Sequence, residues 1–352
     1  MAYTTIPKST DYFSTNLYTG TGSALTVTTG HQSDFIWIKQ RATSRPNSLF
    51  DSVNSSNFAG GNSKYLVSNT TAGLTSNNST QITATSSTGF SIGTDNTDQI
   101  NNNGDTAVAW SWKANGQGSS NTDGSINTTY TSVSATSGFS ISTYTGTGSN
   151  ATVGHGLGIT PKMFIVKRLN TTGAFRTYHE ATGNLGQMAL NATDEVSDVA
   201  AMWNSTSPTN STISIGTHAG VNASGGTYVA YCFADVQGYS KMGSYIGNGH
   251  ANGTFAYTGF KPAFILVKNT GNSARNWQIY DNKRIGYNYN NYRIAPNIPQ
   301  TEESNLNIDI YSNGFKTLTT DADVNENAKK YIYMAFAGEP LVSTNGNAAT
   351  AR

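Results

Sequence analysis

The sequence of 352 residues contains a single cysteine, Cys232, and few charged side chains. One thiol excludes a disulfide framework and a cysteine-based zinc site within one chain. Charged residues make up 12% of the sequence, against a usual share of about 25%, and the formal net charge is +1. Because no excess of lysine or arginine is present to release counterions, we expect no nucleic-acid partner and no polybasic membrane anchor.

Long apolar segments are missing as well. No hydrophobic run approaches the roughly 18 residues of a membrane-spanning helix, and one of the longest covers residues 228–236. The first residues, MAYTTIPK, lack the apolar region of a secretory signal peptide. We therefore expect a protein that folds and assembles in a cytoplasm, without membrane insertion.

Serine, threonine, asparagine and glycine fill the polar positions, and glycine alone occurs 36 times. This composition favours strands and turns, because it contains few strong helix formers. The one helix candidate covers residues 194–202. A share of 11% aromatic residues is typical of a folded chain, and the length corresponds to two or three domains.

Several landmarks recur three times in the same order along the chain. Each copy has an aromatic residue before a glycine turn, then an apolar strand ending in lysine, and finally a dense apolar closing strand. The turns are YTGTGS at 18–23 and 144–149 and YIGNGH at 245–250, the lysines are Lys39, Lys167 and Lys268, and the closing strands cover 107–112, 228–233 and 331–336. Repeats of about 100 residues are too long for a solenoid and suit self-sufficient domains.

The repetition predicts an all-β protein of three tandem β-sandwich domains, jelly-roll-like and related by internal repeat. Alternating segments such as FSI and ISI are typical of half-buried antiparallel strands, whereas the continuously apolar lysine strands indicate cover on both faces. We place an N-terminal arm at 1–14, sandwiches at 15–114, 134–236 and 237–340, a Gly/Ser/Asn/Thr linker at 115–133 and a C-terminal tail at 341–352. The linker is expected to be flexible or to cross the surface. Since the second junction is short, we expect the second and third domains to pack together and the first to stand apart.

Acidic residues form two small clusters, both in the third repeat. Glu302 and Glu303 are adjacent, and Asp321 and Asp323 alternate with apolar residues. Paired carboxylates can run glycoside hydrolysis when they lie about 5–9.5 Å apart, but acids in polar loops are usually just solvated. The alternating oxygens of 321–325 are similar to a Ca²⁺ loop without its glycine and distal glutamate, so whether this loop binds Ca²⁺ stays open. We expect no catalytic residue, no metal site and no cofactor.

Other polar landmarks have structural interpretations. His179 stands where the other repeats carry Asp51 and Asp281, which favours a strand-end hydrogen bond to a nearby turn over catalysis. An aliphatic–asparagine pair precedes each closing strand, and its asparagines, Asn101, Asn222 and Asn325, are expected to make the turn into that strand.

Aromatic side chains are the best candidates for contact with a partner or a glycan. Trp203 lies in a loop-like stretch that has no counterpart in the other repeats. Tyr287, Tyr289 and Tyr292 alternate with asparagines, a pattern typical of adaptable recognition surfaces. These four residues are the predicted contact site, whereas Trp37, Trp110 and Trp112 fall in repeat strands and are expected to pack inside.

Seven strings of this sequence carry a resemblance to a known family. They are FIWIKQR at 35–41, LFDS at 49–52, YVAYCFAD at 228–235, GYSKMGSY at 238–245, YTGFKP at 257–262, MAFA at 334–337 and the terminal AR. They resemble repeat-containing virion structural proteins, tail-fibre-like, of marine tailed bacteriophages. The resemblance covers residues 17–352 and implies a place on a virion, with no catalytic residue to carry over.

The resemblance implies a non-enzymatic structural protein on the virion exterior, assembled in the host cytoplasm. A tail-fibre or tail-associated role comes first, with assembly and host-surface contact as its tasks. The expected partners are other virion structural proteins, further copies of this chain and a host-surface glycan. Two alternatives stay open, namely a capsid (head) decoration protein and a carbohydrate-binding adhesin that is not attached to a virion.

Overall fold

The computed structural model describes residues 4–61, 63–76 and 80–338, and antiparallel sheets dominate these ranges. The all-β class expected from the sequence is confirmed. The predicted tail at 341–352 lies outside the described residues. The described helices are α1 (Ala200–Trp203), α2 (Ala219–Asn222) and 3₁₀ turns at Ser9–Asp11, Ser56–Gly61 and Glu180–Thr182. The helix predicted at 194–202 is confirmed only over its last residues, where α1 begins at Ala200. A short strand occupies Ser197–Asp198, and the left-handed Asn204 ends the single turn of α1.

Three groups of strands follow one another, and we call them the first, second and third units. The first unit contains β1 (Phe13–Thr19), β2 (Leu25–Thr28), β3 (Phe35–Gln40), β4 (Ser48–Asp51), β5 (Lys64–Val67), β6 (Thr75–Ser76), β7 (Ile82–Ser86), β8 (Gly89–Ile92) and β9 (Thr106–Trp112). The second contains β10 (Tyr130–Ser134), β11 (Phe139–Thr145), β12 (Ala151–Gly154), β13 (Met163–Arg168), β14 (Arg176–His179), β15 (Gly186–Ala189), β16 (Ser197–Asp198), β17 (Thr212–Ile215) and β18 (Thr227–Phe233). The third contains β19 (Ser240–Ile246), β20 (Phe255–Tyr257), β21 (Pro262–Asn269), β22 (Gln278–Asp281), β23 (Asn290–Arg293), β24 (Glu303–Tyr311), β25 (Gly314–Thr317) and β26 (Lys330–Ala337).

Each unit has one large sheet, and the central strand order is the same in all three. The orders are β1-β9-β3-β4, β11-β18-β13-β14 and β19-β26-β21-β22, so the closing strand always lies between the first strand and the lysine strand. A second sheet pairs β2 with β8, β12 with β17 and β20 with β25; it is smaller than the large sheet in the first two units, and in the third unit both sheets have four strands. The glycine turns described above connect the first strand of the large sheet to this second sheet.

The lysine strands are covered on both faces, as their continuous apolar sequence predicts. All six residues of β3 are buried. Ile36 and Ile38 pack in a core inside the first unit, whereas Phe35 and Trp37 on the opposite face belong to a larger core. Alternation along one strand therefore supplies two separate hydrophobic layers.

That larger core is shared by all three units. Its centre is Trp112, whose ring contacts Phe35 of its own unit, Phe233 of the second unit, and Phe264 and Phe336 of the third, with ring centroids 5.3–6.5 Å apart. The expectation that the first domain stands apart is therefore wrong. The inner faces of the three large sheets bury one another, and aromatic rings fill the space between them.

The segment at 115–129 crosses the surface of the second unit, and residues 130–133, which the sequence assigned to the linker, belong to β10. Ser119 forms a bridge to Thr131, and Ile126 forms one to Val153 of β12. Thr128 is buried and bonds through its backbone N–H to the Asn121 carbonyl at 3.0 Å. Of the two sequence-based interpretations of this linker, these contacts favour the surface-crossing one.

Three backbone hydrogen bonds at equivalent positions connect the units in a ring. The N–H of Leu74 donates to the Leu169 carbonyl at 2.8 Å, and the N–H of Val196 donates to the Thr270 carbonyl at 3.1 Å. The third bond runs from the N–H of Glu302 back to the Arg41 carbonyl, at 2.8 Å. Each unit thus donates to the next, and the third unit donates to the first.

Side chains at the repeated position 51, 179 and 281 follow the same cyclic order. Asp51 accepts from the hydroxyl of Tyr231 in the second unit at 2.8 Å. His179 places its Nε2 3.4 Å from the Tyr333 carbonyl in the third unit, and Asp281 accepts from the indole of Trp110 in the first unit at 3.1 Å. His179 also makes the local bond predicted for it, because its Nδ1 accepts from the Ala181 N–H at 3.1 Å.

The three strand-end lysines are buried and bind backbone carbonyls. Lys167 donates to the Thr71 carbonyl of the first unit at 3.0 Å, and Lys268 donates to a carbonyl of the second unit at the same distance. Lys39 donates within its own unit, to Thr43. Burial lowers the pKa of each of these lysines to about 8, because a desolvated ammonium is less stable than one in water.

Because His179 is buried, we expect the protein to lose stability in acid. Burial lowers its pKa from 6.5 to about 4, so the unfolded chain takes up a proton between these pH values that the folded protein does not. The free energy of unfolding should therefore fall as the pH drops from 6.5 to 4, by up to about 3 kcal/mol for this residue at 1.36 kcal/mol per pH unit. Urea unfolding of wild type and His179→Gln at several pH values measures this effect.

The glutamine variant should lose part of the acid-side dependence. The rest should remain, because burial also lowers the pKa of His31 to about 4 and lowers the pKa of His155 and His218. Equal pH slopes for the variant and the wild type would show that His179 does not titrate in this way.

Candidate functional site

The structure separates the four residues predicted to contact a partner. Trp203 is fully buried in the second unit, where its ring meets Phe164 edge-on at 4.8 Å and its indole donates to the Gly186 carbonyl at 3.0 Å. The prediction of a contact role for Trp203 is therefore wrong. The single turn of α1 directs its ring inward, and the polar sequence around it does not show this.

The three tyrosines lie on the third unit, on and beside β23. Tyr287 and Tyr289 belong to the loop between β22 and β23 and are 71% and 61% exposed. Tyr292 lies in β23 itself and is half-buried. The alternation of tyrosine with asparagine thus identified an exposed aromatic loop.

Tyr287 is at the edge of a cleft with a volume of about 150 Å³. The polar and apolar side chains around it include Lys261, Asn282, Tyr287, Asn288, Asn290 and Ile310. Tyr292 lines a different, more open groove together with Arg41, Glu302 and Glu303. The predicted site therefore divides into two depressions, and the first is the less open of the two.

Two asparagines fix the wall of the cleft. Asn288 exchanges two bonds with the backbone of β24, donating to the Ile310 carbonyl at 3.2 Å and accepting from the Ile310 N–H at 2.9 Å. Asn290 donates to the Asp281 carbonyl. The loop is therefore held against both neighbouring strands.

Lys261, Asn282 and Asn290 are cleft residues that the sequence analysis did not identify. Lys261 directly precedes β21 and Asn282 directly follows β22, and these strands pair with each other. Only the pairing of β21 with β22 places them beside the tyrosine loop. A sequence signal existed for Asn290 alone, as part of the run YNYNNYR.

The acidic clusters are engaged by partners. Glu302 lies between Arg41 at 2.8 Å and Arg284 at 3.1 Å. The hydrogen bond that Arg41 donates to Glu302 raises the pKa of Arg41. Glu303 pairs with Arg293. Glu302 is thus held by two arginines and Glu303, the first residue of β24, by one, so neither glutamate is simply solvated.

The predicted calcium-loop residues make hydrogen bonds of their own. Asp321 accepts from the Asp323 N–H at 2.8 Å, and Asp323 accepts from Gln278 at 2.6 Å. Burial is the main cause that raises the pKa of Asp323. Within the described residues, no group of three or more histidine, cysteine, aspartate or glutamate side chains could hold a metal ion.

Asn325 and its equivalents hold the repeated glycine turns in place. Asn325 donates to the carbonyls of His250 and Thr319 at 2.8 and 2.7 Å, and it accepts from the Asn248 N–H at 3.0 Å. Asn101 and Asn222 make the same three bonds at the matching positions of their units. The buried amides thus clamp the glycine turns, whereas the sequence predicted these asparagines in the turn into the closing strand.

The family described as a domain of unknown function, DUF7483, matches residues 8–340. No curated protein matches the chain. In the described ranges, no helix has the length and hydrophobicity needed to cross a bilayer.

Proposed function

The chain belongs to the DUF7483 family, and on this premise we propose that it is a non-enzymatic structural protein on the exterior of a bacteriophage particle. In this proposal the protein is associated with the tail, where it takes part in assembly and contacts the host surface. Its partners are other virion proteins and further copies of the chain. The resemblance of its landmark strings to marine phage structural proteins is the first support.

We further propose that the three units are copies of one jelly-roll-like β-sandwich domain. The support is the shared strand order and the identical clamping of the glycine turns by Asn101, Asn222 and Asn325. Independent sequences would have no physical reason to place the same three amide bonds at the same offsets. A triplicated domain accounts for the shared strand order and for the matching asparagine bonds.

The observation that carries the proposal is the closed ring of units. The bonds from Leu74 to Leu169, from Val196 to Thr270 and from Glu302 to Arg41 use the inner edges, and the shared core uses the inner sheet faces. Within the part of the chain that the structure describes, the outer surfaces and loops are left for partners. A compact ring with loops projecting from a well-packed centre is suited to a display platform, since a rigid support positions binding loops accurately.

A head decoration protein is the second candidate, and the same ring favours it. Oligomers are commonly symmetric, and a particle offers sites of threefold symmetry. A chain that closes three similar units on itself presents an approximately threefold surface to such a site. At a tail location, the same approximately threefold surface would match the axis of a trimeric appendage.

Immunogold labelling of purified particles tests the proposal. We expect gold label on the particle and peptides of this chain in its mass spectrum. Label at the tail supports the tail-associated role, and label over the head supports decoration. Particles with neither label nor peptides would contradict a virion protein and leave a free carbohydrate-binding adhesin as the explanation.

A further inference from the structure

The cleft beside Tyr287 contains hydrogen-bonding capacity that the protein does not use. The Oδ1 atoms of Asn282 and Asn290 have no hydrogen-bond partner, although both residues line the cleft. Asn290 is only 2% exposed. An unpaired buried polar atom destabilises a fold by roughly 1–3 kcal/mol, so two such atoms in one cleft indicate acceptors that a ligand can satisfy.

The remaining side chains of the cleft are complementary to these acceptors. Lys261 supplies an exposed ammonium. Tyr287 supplies an exposed ring at the edge. Acceptors, one cation and an aromatic face together form a site of mixed chemistry, which is how small polar ligands are bound and oriented.

The site is confined to the third unit. The loop that follows β22 there corresponds to a 3₁₀ turn at Ser56–Gly61 in the first unit and to another at Glu180–Thr182 in the second. The scaffold strands are alike in the three units, whereas this loop differs. Loops that vary on a common scaffold are where binding functions concentrate.

We propose that this cleft binds one residue of an acidic saccharide, with its hydroxyls donating to Asn282 and Asn290 and its carboxylate beside Lys261. The apolar face of the sugar ring packs on Tyr287. A volume of about 150 Å³ equals roughly five water molecules at about 30 Å³ each, which suits a single sugar ring rather than a long chain. This inference deepens the host-contact part of the proposed function and rests on it only for the source of the sugar.

Binding of purified protein to short uronic-acid oligosaccharides, compared with neutral glucose and galactose oligosaccharides, tests the proposal. Calorimetry or NMR titration should show that the protein binds the acidic oligosaccharides at least about tenfold more tightly than the neutral ones. Tyr287→Ala and Asn282→Ala should each weaken this binding by about tenfold or more, since each removes a direct contact. Lys261→Gln should abolish the preference for the acidic sugar.

The matched control is Tyr257→Ala. Tyr257 is 61% exposed, equal to Tyr289, and lies on β20 of the same unit, outside the cleft lining. Its replacement should leave binding unchanged. No binding of acidic oligosaccharides, or binding that Tyr287→Ala and Asn282→Ala leave intact, would overturn the saccharide site. Neither result would affect immunogold labelling, so failure here is distinguishable from failure of the virion proposal.

Discussion

Replacing Trp112 by alanine should lower the free energy of unfolding by about 3–5 kcal/mol and loosen all three units at once. The side chain is fully buried, and its ring contacts aromatic rings of every unit. Its removal leaves a cavity at the one place where the three sheets meet. Urea unfolding gives the free energy, and hydrogen exchange gives its distribution over the chain.

The Trp112→Phe variant is the matched control. Phenylalanine keeps an aromatic ring in the core and removes the indole N–H, which has no hydrogen-bond partner. The free energy of unfolding should therefore fall by less than half as much as in the alanine variant. Phenylalanine leaves a smaller cavity, and removing the unpaired indole N–H offsets part of the cost of that cavity. An alanine variant whose effects stay within the first unit would contradict the shared core.

Asp281→Ala should destabilise the protein by about 3–5 kcal/mol, because it leaves a buried guanidinium without its main partner. Asp281 and Arg284 have fully buried side chains, and Arg284 Nε lies 2.6 Å from the carboxylate. The same carboxylate accepts from the indole of Trp110 at 3.1 Å and from the Arg284 N–H at 2.9 Å. Thermal and urea unfolding measure the loss.

The equivalent position in the first unit provides an internal comparison. Asp51 is held by Tyr231 and Asn54 rather than by an arginine, and burial raises its pKa. Neutralisation should therefore cost about 1 kcal/mol for Asp51→Asn and clearly more for Asp281→Asn. Equal losses of unfolding free energy for Asp51→Asn and Asp281→Asn would show that the ion pair between Asp281 and Arg284 adds no stability of its own.

The β class and the covered lysine strands were predictable because both depend on local pattern. Period-two segments and continuously apolar strands directly reflect how many faces of a strand are buried. What covers the second face of β3 was not predictable. Phe35 and Trp37 pack on rings that lie far away along the chain, from Trp110 and Trp112 at the end of their own unit to Tyr231 in the second unit, and no local pattern specifies such partners.

The candidate site was predictable only in part, for the same reason. Tyr287 and Tyr289 could be found because a run of tyrosine and asparagine is unusual within a strand-rich repeat. Lys261 and Asn282 come to the cleft through the pairing of β21 with β22. Trp203 was misassigned because one helical turn is enough to turn a polar-looking segment inward.

Hydrogen exchange in rising urea, followed by mass spectrometry, tests most directly the claim that the three units form one closed ring. The peptides to compare contain β9, β18 and β26, the closing strands of the three large sheets. The shared core predicts that all three lose protection at the same urea concentration, and that Trp112→Ala moves them together to a lower one. If one closing strand opens at a lower concentration while the other two keep their full protection, the units are independent domains and the ring is contradicted.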